Sequence, residues 1–427
     1  MPLAKNDGSG GDCKLYEITM GTFVLAMILL LLITLIRHKF YLNTNTNIDK
    51  ILLFAIIVRF IWIIVVIALE DRMTFFVYDD ETYYRTAMGA SYGMYSNLYT
   101  YFLRWLYNTF GQSSLNGRIV NLVFSVMTIY PLAYLEKSFN DFTDFKATTF
   151  FALSPFQIFI SFFEIKDIIL IFTFTASYAL IKHLKIAVST VDIIELAFLC
   201  FISEQIRSGM GVIPIVLLVI DKVKKGIGAT KLQRMFSCII IVGICVAVLL
   251  FYFGDYILEQ NTRIEKYQKW IFTQFSSESM YNQFVITGIQ DIWKLPFCFI
   301  LYAVQPLNAL DGSKRFFGEW GMFAKFIDVP VLLMALRWLT VYIKKEKLFS
   351  LLFLLPYAFV SGINLTNARQ GFFLYPIMYL MCFYGDSQTD SYTGKSALIR
   401  MLNSKEVTVF MWIALYVVWL FVLIVKV

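Results

Sequence analysis

Three consecutive carboxylates followed closely by two tyrosines, Asp79-Asp80-Glu81-Thr82-Tyr83-Tyr84, are the residues of this chain best suited to acid–base chemistry. One carboxylate can take the proton of an acceptor hydroxyl. A neighbour can orient that hydroxyl or help seat a divalent cation such as Mg or Mn. Crowding of like charges raises the proton affinity of at least one of the three. The bland alternative is a solvated acidic loop. The aromatic residues beside the triplet and the cations elsewhere in the chain favour a site.

The cations that would complete such a site lie far away in sequence. Glu164-Ile165-Lys166-Asp167 makes a tight turn between two apolar stretches, where Gly or Ser would reverse the chain more simply. Lys166 can neutralise a phosphate, and Asp167 can hold Lys166 or line a sugar site. The alternative is a set of interfacial charges reaching for water. Arg207 sits in Ser203-Glu204-Gln205-Ile206-Arg207-Ser208-Gly209, again between apolar stretches. Its fork suits a bidentate grip on phosphate oxygens. Equally, it can pair with Glu204 or another acid and merely fix packing. Arg369, after Asn364-Leu365-Thr366-Asn367, is a second candidate phosphate ligand or an interface anchor. Arg59 lies within an apolar run and is expected to pair with an acid of a neighbouring helix. The two histidines (His38, His183) and six cysteines without CxxC spacing build no metal site and no disulfide framework.

The elements that must hold these residues are apolar. Hydrophobic residues make up 59% of the 427 and charged residues only 16%, whereas a soluble domain carries about a quarter charged. Apolar runs near 18–36, 51–69, 116–135, 146–163, 168–182, 192–206, 209–220, 236–253, 327–343, 348–363, 370–384 and 407–425 read as membrane spans. The expected fold is therefore an all-α polytopic membrane protein of about 11–13 transmembrane helices, forming a single domain over 1–427. The polar start of the chain lacks the pattern of a cleaved signal, so the first helix is expected to be retained. The segment 95–111 has helical spacing of apolar residues and reads as an amphipathic helix in the interface, inside a first outer loop over 70–115. A long outer loop over 254–326 includes a re-entrant segment at 294–310, interrupted by Pro296 and Pro306.

The loops 37–50, 136–146, 182–191, 221–235, 344–347 and 385–406 hold twice the Lys and Arg of the opposite tails and short loops, setting the long loop aside. Those basic loops are expected to face the cytoplasm. They also account for the net charge of +7 without any nucleic acid partner. Asp79, Asp80, Glu81, Glu164, Lys166, Asp167, Arg207 and Arg369 then meet one extracytoplasmic face.

The order of these motifs resembles the GT-C superfamily of integral membrane glycosyltransferases, especially bacterial protein mannosyltransferases and aminoarabinose transferases. The resemblance is carried by Asp80-Glu81 with Tyr84 in the first outer loop and by Leu106–Tyr134. Ser154-Pro155 with Lys166-Asp167, Arg207 between two spans, and Arg369 before Pro376 complete it. It is strongest over about 75–220. The chain departs from the commonest layout in placing two spans before the acidic loop.

The resemblance implies transfer of a sugar from a polyprenyl-phosphate-linked donor at the extracytoplasmic face of a bacterial inner membrane, within cell-surface glycan assembly. Asp80 maps onto the base or acceptor orienter of that family. Asp79 and Glu81 would assist, and Lys166, Asp167, Arg207, Arg369, Tyr84 and Glu164 would contact substrate. A polysaccharide polymerase using a lipid-linked glycan carries nearly the same signature. A transporter or flippase of lipid-linked sugars, using Arg59 and Arg207 along a path, is the alternative from another class. The sequence leaves the oligomeric state open.

Overall fold

The structure, a computed structural model, describes residues 18–40, 46–68, 78–89, 97–139, 145–186, 190–207, 210–216, 218, 289–294, 297 and 373–384. These are helical, with no strand among the described residues. In chain order the helices are α1 Met20–Phe40, α2 Thr46–Ala68, α3 Tyr78–Ala87, α4 Leu98–Phe110, α5 Ser114–Met127, α6 Ile129–Phe139, α7 Lys146–Leu153, α8 Pro155–Ile160, α9 Asp167–Ile186, α10 Thr190–Ile206 and α11 Tyr375–Tyr384. A short 3₁₀ turn covers Ile289–Lys294.

Met20–Phe40, the combined run Ser114–Phe139 and Asp167–Leu184 are long and apolar enough to cross a membrane. Large apolar side chains also stand bare on α1 (Phe23, Met27, Leu31), α2 (Leu53, Phe60) and α10 (Ile194, Phe198). Apolar faces of this extent seek a hydrocarbon or protein cover, and together with the long helices they mark the chain as membrane-associated.

The elements explain themselves locally. The run expected at 146–163 is two helices, because the residue before a proline is driven out of helical geometry. Ser154 takes φ −55° and ψ 123°, Pro155 opens α8, and the Ser154 hydroxyl accepts from the Gln157 amide at 3.4 Å. The break leaves carbonyls at the end of α7 without a helical donor. Arg59 of α2 supplies one, donating to Ala152 O at 2.8 Å, to Ala55 O at 3.2 Å, and to Ser125 Oγ at 3.1 and 3.3 Å. The expected acid is therefore replaced by carbonyl and hydroxyl oxygens, and Arg59 ties α2 to α5 and α7. At the start of α7 the buried Glu136 carboxylate accepts from the amides of Ala147 and Thr148, both at 2.9 Å. A remote acid thus caps that helix.

Helix α9 is the centre of the core and packs against α5, α6, α10 and α11. Helix α1 lies outside α4, α5 and α6. The chain runs alternately between two ends. At one end Lys39 pairs with Asp192 and, at 2.9 Å, with Glu195, while Asp192 also meets His183 Nδ1 at 2.8 Å. The other end gathers the start of α1, the end of α4 and the start of α5. There the Thr19 hydroxyl donates to Phe110 O at 2.8 Å. A Cβ on Gly21 would collide with the Phe110 backbone, so this crossing needs glycine. The expected spans at 236–253, 327–343, 348–363 and 407–425, and the re-entrant segment 294–310 apart from its first residue and Phe297, lie outside the described residues, as does Arg369.

Candidate functional site

The Asp80 end of the bundle contains a polar cluster sealed inside apolar packing. Its carrier, α3, begins with Tyr78-Asp79-Asp80, and acidic residues in a first turn complement the helix dipole. Its last carbonyls are capped from α4: Arg104 donates to Ala87 O at 3.1 Å and to Thr86 O at 3.0 Å. Helix α4 is well specified by its own capping box, Asn97 with Thr100. Two edge-to-face pairs, Tyr83–Tyr99 at 5.1 Å and Tyr84–Tyr107 at 5.5 Å, fix α3 against it. Asp80 is thereby turned inward and is wholly buried.

It meets one face of α5. Ser114, Arg118 and Asn121 recur at helical spacing along that face and are all buried. Arg118 Nη2 donates to Asp80 Oδ2 at 3.0 Å, and Arg118 Nε donates to Ser114 Oγ at 2.9 Å. The guanidinium also lies over the Phe162 ring at 4.9 Å from its centroid. The third component is the turn between α8 and α9. The Glu164 amide donates to Asp80 Oδ1 at 2.7 Å. Asn121 Nδ2 donates to the carbonyls on either side, Phe163 O at 2.5 Å and Ile165 O at 3.1 Å, and so holds that turn.

The Glu164 side chain is itself wholly buried. The Tyr107 hydroxyl donates to its Oε1, and the Ser114 hydroxyl stands beside the same carboxyl. Burial first, and then the Asp80 charge, push the Glu164 carboxyl up to about 8, with Arg118, Tyr107 and Ser114 opposing. Tyr107 and Tyr99 are raised well above the usual phenol value by burial and then by the Glu164 charge, and both remain neutral; the Tyr99 hydroxyl accepts from Asn121 Nδ2 at 3.1 Å. Gly117 makes the packing possible. A Cβ there would stand 2.6 Å from Glu164 Oε1 and 2.9 Å from the Tyr107 hydroxyl.

The residues expected from sequence divide as follows. Asp80 and Glu164 come together, and Tyr84 packs on Tyr107 beside them. Asp79 and Glu81 belong to α3, but their side chains lie outside what the structure describes. A cation shared by all three carboxylates would have to compete with Arg118 for Asp80. Asp167 pairs with Arg207, at 2.5 Å, and Asp167 is almost fully buried. This is the pairing of Arg207 with an acid that the sequence offered, and Glu204 Oε2 accepts from the Gly211 amide at 3.1 Å. Lys166 is half-buried next in sequence to Asp167.

Sequence reasoning gave no role to Arg118, Ser114, Asn121, Tyr107 or Gly117. The available signal was the spacing Ser114, Arg118, Asn121, Ser125: a polar seam at helical period along an otherwise apolar helix.

Chemically, the arrangement presents a carboxylate paired with an arginine, next to a second carboxyl that burial pushes towards its protonated form and a neutral phenol. No protein family, characterised protein or solved structure matches this chain.

Proposed function

We propose that the chain is a multi-pass membrane glycosyltransferase of GT-C type. It transfers a sugar from a polyprenyl-phosphate-linked donor to an acceptor at the extracytoplasmic face of a bacterial inner membrane. The observation that carries this reading is the buried cluster of Asp80, Arg118 and Glu164. Three separate stretches of chain bring ionisable groups together at one end of apolar helices, where isolated charges are costly. Arg118 favours the ionised form of Asp80, the state that accepts a proton from an acceptor hydroxyl.

Arg207, oriented by Asp167, and Lys166 supply positive charge for the donor phosphate as the glycosidic bond breaks. Arg369, Tyr84, Asp79 and Glu81 retain the roles that the resemblance implies, and a divalent cation at the acidic triplet belongs to the same proposal. The experiment is turnover of the purified protein with radiolabelled polyprenyl-phosphate sugars and lipid-linked glycans. Release of polyprenyl phosphate or diphosphate supports the reading, and the donor consumed separates single-sugar transfer from polymerisation. Movement of lipid-linked sugar across reconstituted vesicles without any release contradicts it.

A further inference from the structure

The peptide group between Phe163 and Glu164 is held at both of its poles. It is trans, so its C=O and its N–H point in opposite directions. On one side the Phe163 carbonyl accepts from Asn121 Nδ2 at 2.5 Å. On the other the Glu164 amide donates to Asp80 Oδ1 at 2.7 Å. Asn121 of α5 and Asp80 of α3 therefore grip one rigid plane between them. A donor on the carbonyl polarises the peptide and strengthens its N–H as a donor in turn.

The turn that carries this peptide is short. The Ile165 amide donates back to Phe163 O at 2.9 Å and closes three residues about Glu164. Asn121 Nδ2 spans the same turn by reaching Ile165 O at 3.1 Å, with the Tyr99 hydroxyl as a third neighbour at 3.1 Å. A primary amide carries two protons on one nitrogen and can bridge two carbonyls, whereas a serine or threonine hydroxyl donates only once. Asn121 is wholly buried, which leaves no solvent to compete for those carbonyls. We propose that Asn121 is a positioning residue for Asp80, acting through the Phe163–Glu164 peptide. It fixes the amide that sets the Asp80 carboxylate against Arg118. The role rests on the transferase reading, because what it positions is the base which that reading assigns.

Asn121→Leu keeps the branching of the side chain and removes its donor. Asn121→Ala, the smaller change, serves where the leucine variant does not fold. Ser125→Ala is the comparison: Ser125 is buried one turn further along the same face of α5, but it meets Arg59 and has no path to Asp80. Turnover of radiolabelled polyprenyl-phosphate sugars is measured for each and normalised to folded protein. In the Asn121 variants kcat should fall on the order of 100-fold, the cost of a misplaced catalytic group. Donor KM should stay close to wild type, since Arg207 is held separately by Asp167. Ser125→Ala should keep the wild-type kcat.

A wild-type kcat in Asn121→Ala, a rise in donor KM alone, or an equal loss of kcat in Ser125→Ala overturns the proposal. No turnover by the wild type removes the transferase reading itself, and the positioning role with it. Hydrogen exchange reads the grip without turnover. Amides of the stretch 161–166 should exchange faster in Asn121→Ala and at the wild-type rate in Ser125→Ala. Unchanged exchange in Asn121→Ala overturns the grip and therefore the proposal.

Discussion

Asp80→Asn keeps the size of the side chain but takes from Arg118 the carboxylate to which it is bonded in a buried setting. Loss of one partner of a buried ion pair costs roughly 3–5 kcal/mol. The variant is therefore expected to lose turnover and also to unfold at lower temperature. Rates must be compared per folded molecule, with a thermal scan in detergent as the check. An unchanged melting temperature would contradict the buried pair. The pH dependence belongs to Glu164. Its carboxyl is raised from 4.5 to about 8 in the folded chain, so the folded state binds the extra proton between those values. Stability is then highest below the lower value, falls as pH rises through the window, and levels off above about 8. Glu164→Gln should flatten that slope, which thermal unfolding across pH will show. Gly117→Ala places a methyl against Glu164 Oε1 and the Tyr107 hydroxyl. A loss of roughly 1–3 kcal/mol is expected from such crowding, to be read by thermal unfolding in detergent.

The helices themselves were largely legible, and the reason is periodic apolarity over long runs. The stretch 51–69 became α2 and 192–206 became α10. The stretch 95–111 became α4, which buries Leu103, Leu106 and Tyr107 and exposes Tyr101, Arg104 and Trp105. The break at Ser154-Pro155 was written in the proline, yet hydropathy averages over it and reads a single span. What periodicity does not encode is which polar side chains face each other across helices. Asp80 could be singled out because acids cluster visibly. Arg118 sits inside an apolar window that hydropathy labels simply as membrane, and only pairing across α3 and α5 gives it a role. Arg59 shows the converse: its expected acid was the ordinary partner for a buried cation, but a freed helix-end carbonyl and Ser125 satisfy it. Arg59→Met should therefore destabilise the packing of α2 on α5 and α7. The expected loss is about 1–3 kcal/mol for the carbonyl or hydroxyl left unsatisfied. Donor KM should stay close to wild type. A large rise in KM with unchanged stability would instead place Arg59 on a substrate path.

On the scale of the molecule, the alternation of the helices sets Asp80, Glu164, Asp167 and Arg207 at one end and Lys39, His183, Asp192 and Glu195 at the other. A bilayer would put these two ends on opposite sides. Single cysteines at Arg85 and Thr190, both exposed, test this in a cysteine-free background of sealed vesicles or cells. An impermeant thiol reagent should reach Arg85→Cys from outside and Thr190→Cys only after the membrane is opened. Labelling of both from one side would break the topology on which the convergence of the site depends. The central claim, that the buried Asp80 cluster performs transfer from a lipid-phosphate donor, is tested most directly by donor turnover in reconstituted vesicles. Wild type, Asp80→Asn and Arg118→Lys would be measured side by side and normalised to folded protein. The account predicts polyprenyl-phosphate release by the wild type, no detectable release with Asp80→Asn, and a strongly reduced rate with Arg118→Lys, which keeps the charge but loses the fork. Release that persists at the wild-type rate without the Asp80 carboxylate would contradict it.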